Sequence, residues 1–329
     1  MQGSDAIWQD LGRRQRMEHL LKTGHLSDCS FVVYDDDGNK TLLKCHKFVL
    51  MSVSPVFERM FAGDFEEANI PENIVLDDVL GHDFKKFLDY LYLNDNERLE
   101  SYDLRTLQTL IYLSKKFMVS SLTTNCFYVI KRRLATGLDV NLTIDLFEYS
   151  HQIENEDLIN SIKKKFRSNP LSYIDTAAVY DLTSDVFLKF MENLITCVAD
   201  KLRLSVIDRY CKMHGLLDST LAEDQSEDCL KPNDRALETN ENKKKEDMCK
   251  NYENGSNVYE EKDTSVKQMD NNQYIYRLLK TIKFTSMSSY DFCAGPGESN
   301  LLTVEKKYEL LSSICIAEYK MKLFANAKY

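Results

Sequence analysis

A chain of 329 residues, 43% hydrophobic and 29% charged, holds enough apolar material for two ordinary domains and enough charge for a solvated surface. Its formal net charge of −10 sets the molecule as a whole against phosphate backbones, which excludes nucleic acid as a partner unless a local basic face overcomes it. No run approaches the roughly 20 apolar residues of a membrane span, no secretory segment opens the chain, and the nine cysteines are scattered; the expectation is a cytoplasmic protein without membrane contact or disulfides.

The first segment, DAIWQDLGRRQRMEHLLKTGHL, carries Ile7, Trp8, Leu11, Met17, Leu20 and Leu21, more apolar surface than a short N-terminal stretch can easily bury alone. Two strand-like runs follow, CSFVVYD and TLLKC, on either side of the turn signal DDDGN, so the pair reads as a hairpin. Next comes LKCHKFVLMSVSPVFERMFAGDFEEAN, Leu43 to Asn69, an apolar helical stretch that contains His46 and closes on an acidic cluster. A third strand, NIVLDDV, precedes HDFKKFLDYLYL, whose Phe84, Phe87, Leu88 and Leu91 fall on one helical face. In YDLRTLQTLIYLSKKFMV the stripe is Leu104, Leu107, Ile111 and Phe117, with Leu110 and Tyr112 beside it and Asp103 near the helix start. Helical periodicity continues through VNLTIDLFEYSHQI, ENEDLINSIKKKF, SDVFLKFMENLI and LSVIDRYCKMHGLL.

Composition then changes. Residues 219–270 hold 14 acidic and 8 basic side chains and about a quarter hydrophobic residues, too few to offset the ordering entropy of roughly 1–2 kcal/mol per residue, so a disordered acidic insert is expected. The run KKKEDMCK within it reads either as solvated charge or as a nuclear-import patch, which would extend the location to the nucleus. After the insert, YIYRLLKTIKFTSM and LLTVEKKYELLSSICI resume the helical pattern around the AGPGES turn.

Chemistry-bearing signatures are missing: no GxxxxGK[ST], no GxSxG, no HExxH. Cys211 and His214 lack a second ligand pair for zinc. Cys45 and His46 are adjacent, and sequence neighbours seldom face each other as nucleophile and base, so His46 is read as a packed histidine. The sequence therefore predicts no catalytic residue, metal site or cofactor.

With these elements placed, LSDCSFVVYDDDGNKTLLKCHKFVLMSVSPVFERMF resembles the start of a BTB/POZ domain, through Leu26-Ser27-Asp28, Cys45-His46-Lys47, Leu50, Ser54, Phe57, Met60 and Phe61. The resemblance continues through NIVLDD and FKKFLDYLYLND to about Leu134, and from Asp139 to Ser313 the chain is similar to the helical BACK domain that often follows. The fold expected is thus an α+β BTB/POZ domain, a small sheet wrapped by helices, followed by an all-α BACK-like domain that the insert interrupts. In residue numbers this reads as a dimerisation helix segment at 1–25, BTB/POZ at 26–135, BACK-like helices at 138–218 and 271–315, and a tail at 316–329. The resemblance implies a homodimer whose interface takes Ile7, Trp8, Leu11, Met17, Leu20 and Leu21, with Asp28 and Lys47 as a charge pair at its cleft; the open alternative is that the N-terminal helix folds back on its own BACK-like domain. GDFEEAN further resembles the hydrophobic-x-Glu motif of proteins that recruit the cullin-3 scaffold of ubiquitin ligases, with Phe65 and Glu67 as the matching residues and Phe61, Tyr92 and Leu93 flanking them. The function implied is a non-catalytic adaptor between cullin-3 and an unidentified protein substrate, its rival a dimeric scaffold for transcriptional or cytoskeletal regulation that binds no cullin.

Overall fold

The computed structural model describes residues 10–63, 72–217 and 271–326, and divides into two compact units, 1–162 and 163–329. The segment 219–270 lies outside the described residues, so the expectation of disorder there has no structural counterpart.

In the first unit, helix α1 (Arg13–Thr23) is opened by the Gln15 side chain, whose Oε1 accepts the Gly12 N–H at 2.9 Å, and closed by Gly24 in the left-handed region (φ 64°). A side chain at Gly24 would meet Lys44 Cβ at 2.7 Å, so glycine there serves both the cap and the close approach to the neighbouring strand. Strands β1 (Cys29–Tyr34) and β2 (Lys40–Cys45) form the expected antiparallel hairpin, with Cys29 opposite Cys45. Its turn is held by Asp35, whose Oδ1 accepts the N–H groups of Asp37 (3.1 Å) and Asn39 (2.7 Å). Strand β3 (Ile74–Leu80) joins β1 in parallel, giving the order β2-β1-β3. The central strand is buried over five consecutive residues, while β2 alternates, as an edge strand with one wet face should.

Helices α2 (Lys47–Val53) and α3 (Pro55–Ala62) meet at Ser54. Its hydroxyl accepts the Phe57 N–H at 3.2 Å and donates to the Phe117 carbonyl at 2.6 Å, and Pro55 takes the first helical position, where a missing N–H costs nothing. After β3 come α4 (Gly81–Leu93), the short α5 (Asn96–Leu99), α6 (Leu104–Lys116) and α7 (Ser120–Gly137). Asp103 caps α6 by accepting the Thr106 N–H at 2.7 Å. The core is aromatic: Phe31 lies 5.2 Å from Phe84, and Phe117 lies 4.5 Å from Phe57 and 5.4 Å from Phe87, ring centre to ring centre.

Helices α8 (Val140–Gln152) and α9 (Glu156–Ser168) follow, and the division between the units falls within α9. In the second unit, α10 (Pro170–Tyr173), α11 (Ala177–Tyr180), α12 (Ser184–Asn193) and α13 (Asp200–Met213) bury a stack of Phe187 on Tyr210, with centroids 3.7 Å apart. The Tyr210 hydroxyl donates to the Leu182 carbonyl at 2.8 Å. Past the insert lie α14 (Asn271–Lys280), a 3-10 turn (Phe284–Ser286), α15 (Ser289–Cys293) and α16 (Val304–Asn326). The last helix continues to Asn326, so most of the tail expected at 316–329 is helical; Phe292, Leu302 and Ile314 form the small core beneath it. No described helix is long and apolar enough to cross a membrane.

Candidate interaction site

The stretch from Leu43 to Gly63 joins the end of β2 to two short helices, and His46 stands at the junction, 8% exposed. Its Nε2 lies 2.6 Å from the His25 carbonyl oxygen, which can only accept, so that nitrogen carries the proton. In the neutral ring Nδ1 is then an acceptor, and the Tyr92 hydroxyl donates to it at 2.8 Å while accepting the His46 backbone N–H at 2.9 Å. Every polar atom of this contact is used, and the imidazole is a structural clamp. The neighbouring thiols are equally inert: burial pushes Cys29 up to about 12 and lifts Cys45 still further, so neither supplies thiolate near neutral pH. Burial likewise raises the Tyr92 phenol. The Cys45–His46 pair is thus unsuited to nucleophilic chemistry. In the second unit His214 Nε2 faces the Tyr180 carbonyl oxygen at 2.8 Å and Cys211 is fully buried, its thiol pushed up to about 12; among the described residues no group of three or more His, Cys, Asp or Glu is placed to hold a metal.

The residues singled out for partner binding fall into three groups. Phe65 and Glu67, with Ile7 and Trp8, lie outside the described residues. Phe61 and Tyr92 are inside the unit, 7% and 6% exposed, and Leu93 is half-buried. Phe61 stacks along Phe57 at 6.2 Å and Tyr92 is committed to His46, which corrects the expectation that these two side chains flank an exposed docking face. Leu11, Met17, Leu20 and Leu21 are half-buried, and α1 has no fully buried residue.

Asp28 and Lys47 also need correction as a charge pair. Asp28 Oδ1 accepts the backbone N–H of Lys47 at 2.7 Å, and among the described residues no ion pair joins the two side chains. The Lys47 ammonium sits over the Phe61 ring, 5.4 Å from its centre. The physical reason is the helix start: His46, at the N-cap of α2, gives no side-chain cap, so the first N–H of the helix is satisfied by a carboxylate from across the hairpin.

Met17 and Leu20 of α1, Phe48, Val49 and Val53 of α2, and Leu91 of α4 line a groove of about 910 Å³ on the first unit, with His46 and Tyr92 at its base. Phe48 is 81% exposed and Val53 is 38% exposed, an unusual placing for large apolar side chains on one short helix. Sequence reasoning missed Phe48, because the four consecutive apolar residues of FVLM leave the buried face open; the structure turns Val49 and Leu50 inward and Phe48 outward. Helix α1 is tied to its own unit by Arg14 on Asp95 and by Arg98, which reaches Glu18 at 3.5 Å, Asp89 at 3.4 Å and Asp95 at 3.3 Å. These are partly exposed pairs that set orientation more than stability.

The sequence profile of the BTB/POZ domain matches residues 17–134. Among curated relatives, Kelch-like protein 40 of Xenopus laevis is 27% identical over 128 residues, covering 39% of this chain and 19% of its own length. BTB/POZ domain-containing protein 6-A of Danio rerio is 26% identical over 211 residues (62% of this chain, 36% of that protein), and human Kelch-like protein 41 is 28% identical over 136 residues (40% and 20%). The matched segment spans well under half of each relative.

Proposed function

Because residues 17–134 form a BTB/POZ domain, we propose that the chain is a non-catalytic adaptor that self-associates through this domain and recruits cullin-3 to a protein substrate. The observation that carries the self-association is the apolar groove with Phe48 standing 81% exposed beside a helix, α1, that buries none of its residues fully. Covering a Phe side chain is worth about 1.5–3 kcal/mol, and a two-fold axis applies the gain twice. The second unit is helical, consistent with a BACK domain. The cullin contact rests on the resemblance of Phe65 and Glu67 to the hydrophobic-x-Glu motif, an aromatic for an apolar notch and a carboxylate to accept hydrogen bonds.

The burial of Phe61 and Tyr92 favours a second reading, since it withdraws two of the five side chains assigned to the cullin face. In that reading the dimer is a scaffold for other regulatory partners and binds no cullin. Capture of purified cullin-3 N-terminal domain by the full chain separates the two. The adaptor reading expects binding that Phe65→Ala with Glu67→Ala reduces at least tenfold while self-association is unchanged; no capture by the parent chain leaves the scaffold.

A further inference from the structure

A second groove, of about 470 Å³, lies within the second unit between α14 and the start of α16. Its apolar lining includes Ile275, Leu279, Phe284, Leu302 and Leu310. Lys280 and Lys306 also line it, and none of the described lining residues is a carboxylate. Of the residues lining the groove, Tyr276 is the large apolar side chain left exposed, at 59%. An apolar concavity with an exposed aromatic at its edge is a surface suited to an apolar side chain of another polypeptide.

Charge decides what kind of polypeptide. The chain carries −10 overall, yet α14 holds Arg277 and Lys280 and no acidic residue. The Lys280 ammonium lies over the Tyr276 ring, 4.6 Å from its centre, and Lys306 reaches Glu309 at 2.8 Å in an exposed pair. Exposed pairs of this type exchange partners at little cost. We infer that this groove is a docking site for an acidic peptide segment of a partner protein, whose large apolar side chains enter between α14 and α16 and whose carboxylates meet Lys280 and Lys306. This deepens the adaptor reading by giving its substrate a seat, but the binding itself does not depend on cullin recruitment: peptide binding with failed cullin capture would remove the adaptor and keep the groove.

The test is fluorescence anisotropy of the full chain with a fluorescein-labelled peptide of repeated Glu-Glu-Leu-Leu units, against the same peptide with Gln in place of Glu. Because the molecule as a whole repels an anionic peptide, a preference for the acidic one reports a local basic rim. The expected result is at least tenfold tighter binding of the acidic peptide, a preference that Lys280→Glu with Lys306→Glu abolishes and that Lys189→Glu, on the exposed face of α12, leaves intact. Equal binding of the two peptides, no binding by the parent chain, or equal losses in the rim and control variants would overturn the inference. Acidic-peptide binding that emerges only after deletion of residues 219–270 would assign the groove to the chain's own acidic segment and equally overturn a partner as its occupant.

Discussion

Replacing Tyr92 with Phe removes one oxygen and leaves two groups of His46 without partners: the backbone N–H, now bonded at 2.9 Å, and Nδ1, at 2.8 Å. At 8% exposure His46 has little water to turn to. An unsatisfied buried group costs about 1–3 kcal/mol, so the two together destabilise the first unit by about 2–6 kcal/mol. With a urea dependence of about 2 kcal/mol per molar, the unfolding midpoint falls by about 1–3 M. Hydrogen exchange of the peptide covering Leu43 to Val53, followed across urea, reads the first unit alone. Coupling gives the sharper number. In a His46→Leu background the imidazole acceptor is already gone, so Tyr92→Phe costs less there, by about 1 kcal/mol or more. Effects that simply add, or a midpoint shift below about 0.3 M, would refute the reasoning that His46 and Tyr92 form a satisfied buried pair.

In the first unit, Asp78 accepts from Lys116 Nζ at 2.6 Å and from the Tyr112 hydroxyl, and Lys116 above all holds its carboxyl below the ordinary value. A depressed carboxylate contributes stability that is present above its unfolded pKa of about 3.9 and lost as pH falls through the folded value, so Asp78→Asn lowers stability at neutral pH and flattens the acid limb of urea midpoint against pH. In the second unit Arg203 is 1% exposed, paired with Asp200, and its Nε and Nη1 have no hydrogen-bond partner among the described residues. Arg203→Met is therefore expected to be neutral or stabilising in thermal unfolding, whereas Asp200→Ala strands the buried charge and costs about 3–5 kcal/mol. Phe48→Asp places a charge in the apolar groove of the first unit, and sedimentation equilibrium is expected to show weakened self-association with unchanged circular dichroism.

Much of the fold is legible in local pattern. CSFVVYD and TLLKC on either side of DDDGN predict the hairpin that forms, but which strand is central and which is the edge comes from the parallel pairing of β3 with β1, which no local pattern holds. The Phe84, Phe87, Leu88 and Leu91 stripe is fully in the core, as its spacing requires. Helix α7 went unread because its Ser, Thr, Asn and Cys content dilutes the pattern, although Leu122, Cys126, Val129, Ile130 and Leu134 keep helical spacing. Tyr112, placed beside the α6 stripe, turns outward to Asp78, and Phe117 lies just past the helix end at its C-cap. What local pattern cannot hold is long-range pairing. The Tyr92 hydroxyl meets His46 across 46 positions, and Asp28 caps a helix that starts 19 residues later. Residue type alone suggests a charged pair for Asp28 and Lys47; only the geometry reveals a carboxylate on a backbone N–H.

A domain that self-associates and brings cullin-3 to each copy, as proposed, makes an assembly of defined mass. Light scattering on a size-exclusion column, with the full chain mixed with excess cullin-3 N-terminal domain, weighs that assembly directly. The predicted mass is that of two chains with two cullin domains. Separate peaks at the masses of the chain and the cullin domain would contradict the recruitment, and a complex of one chain with one cullin domain would contradict the dimer.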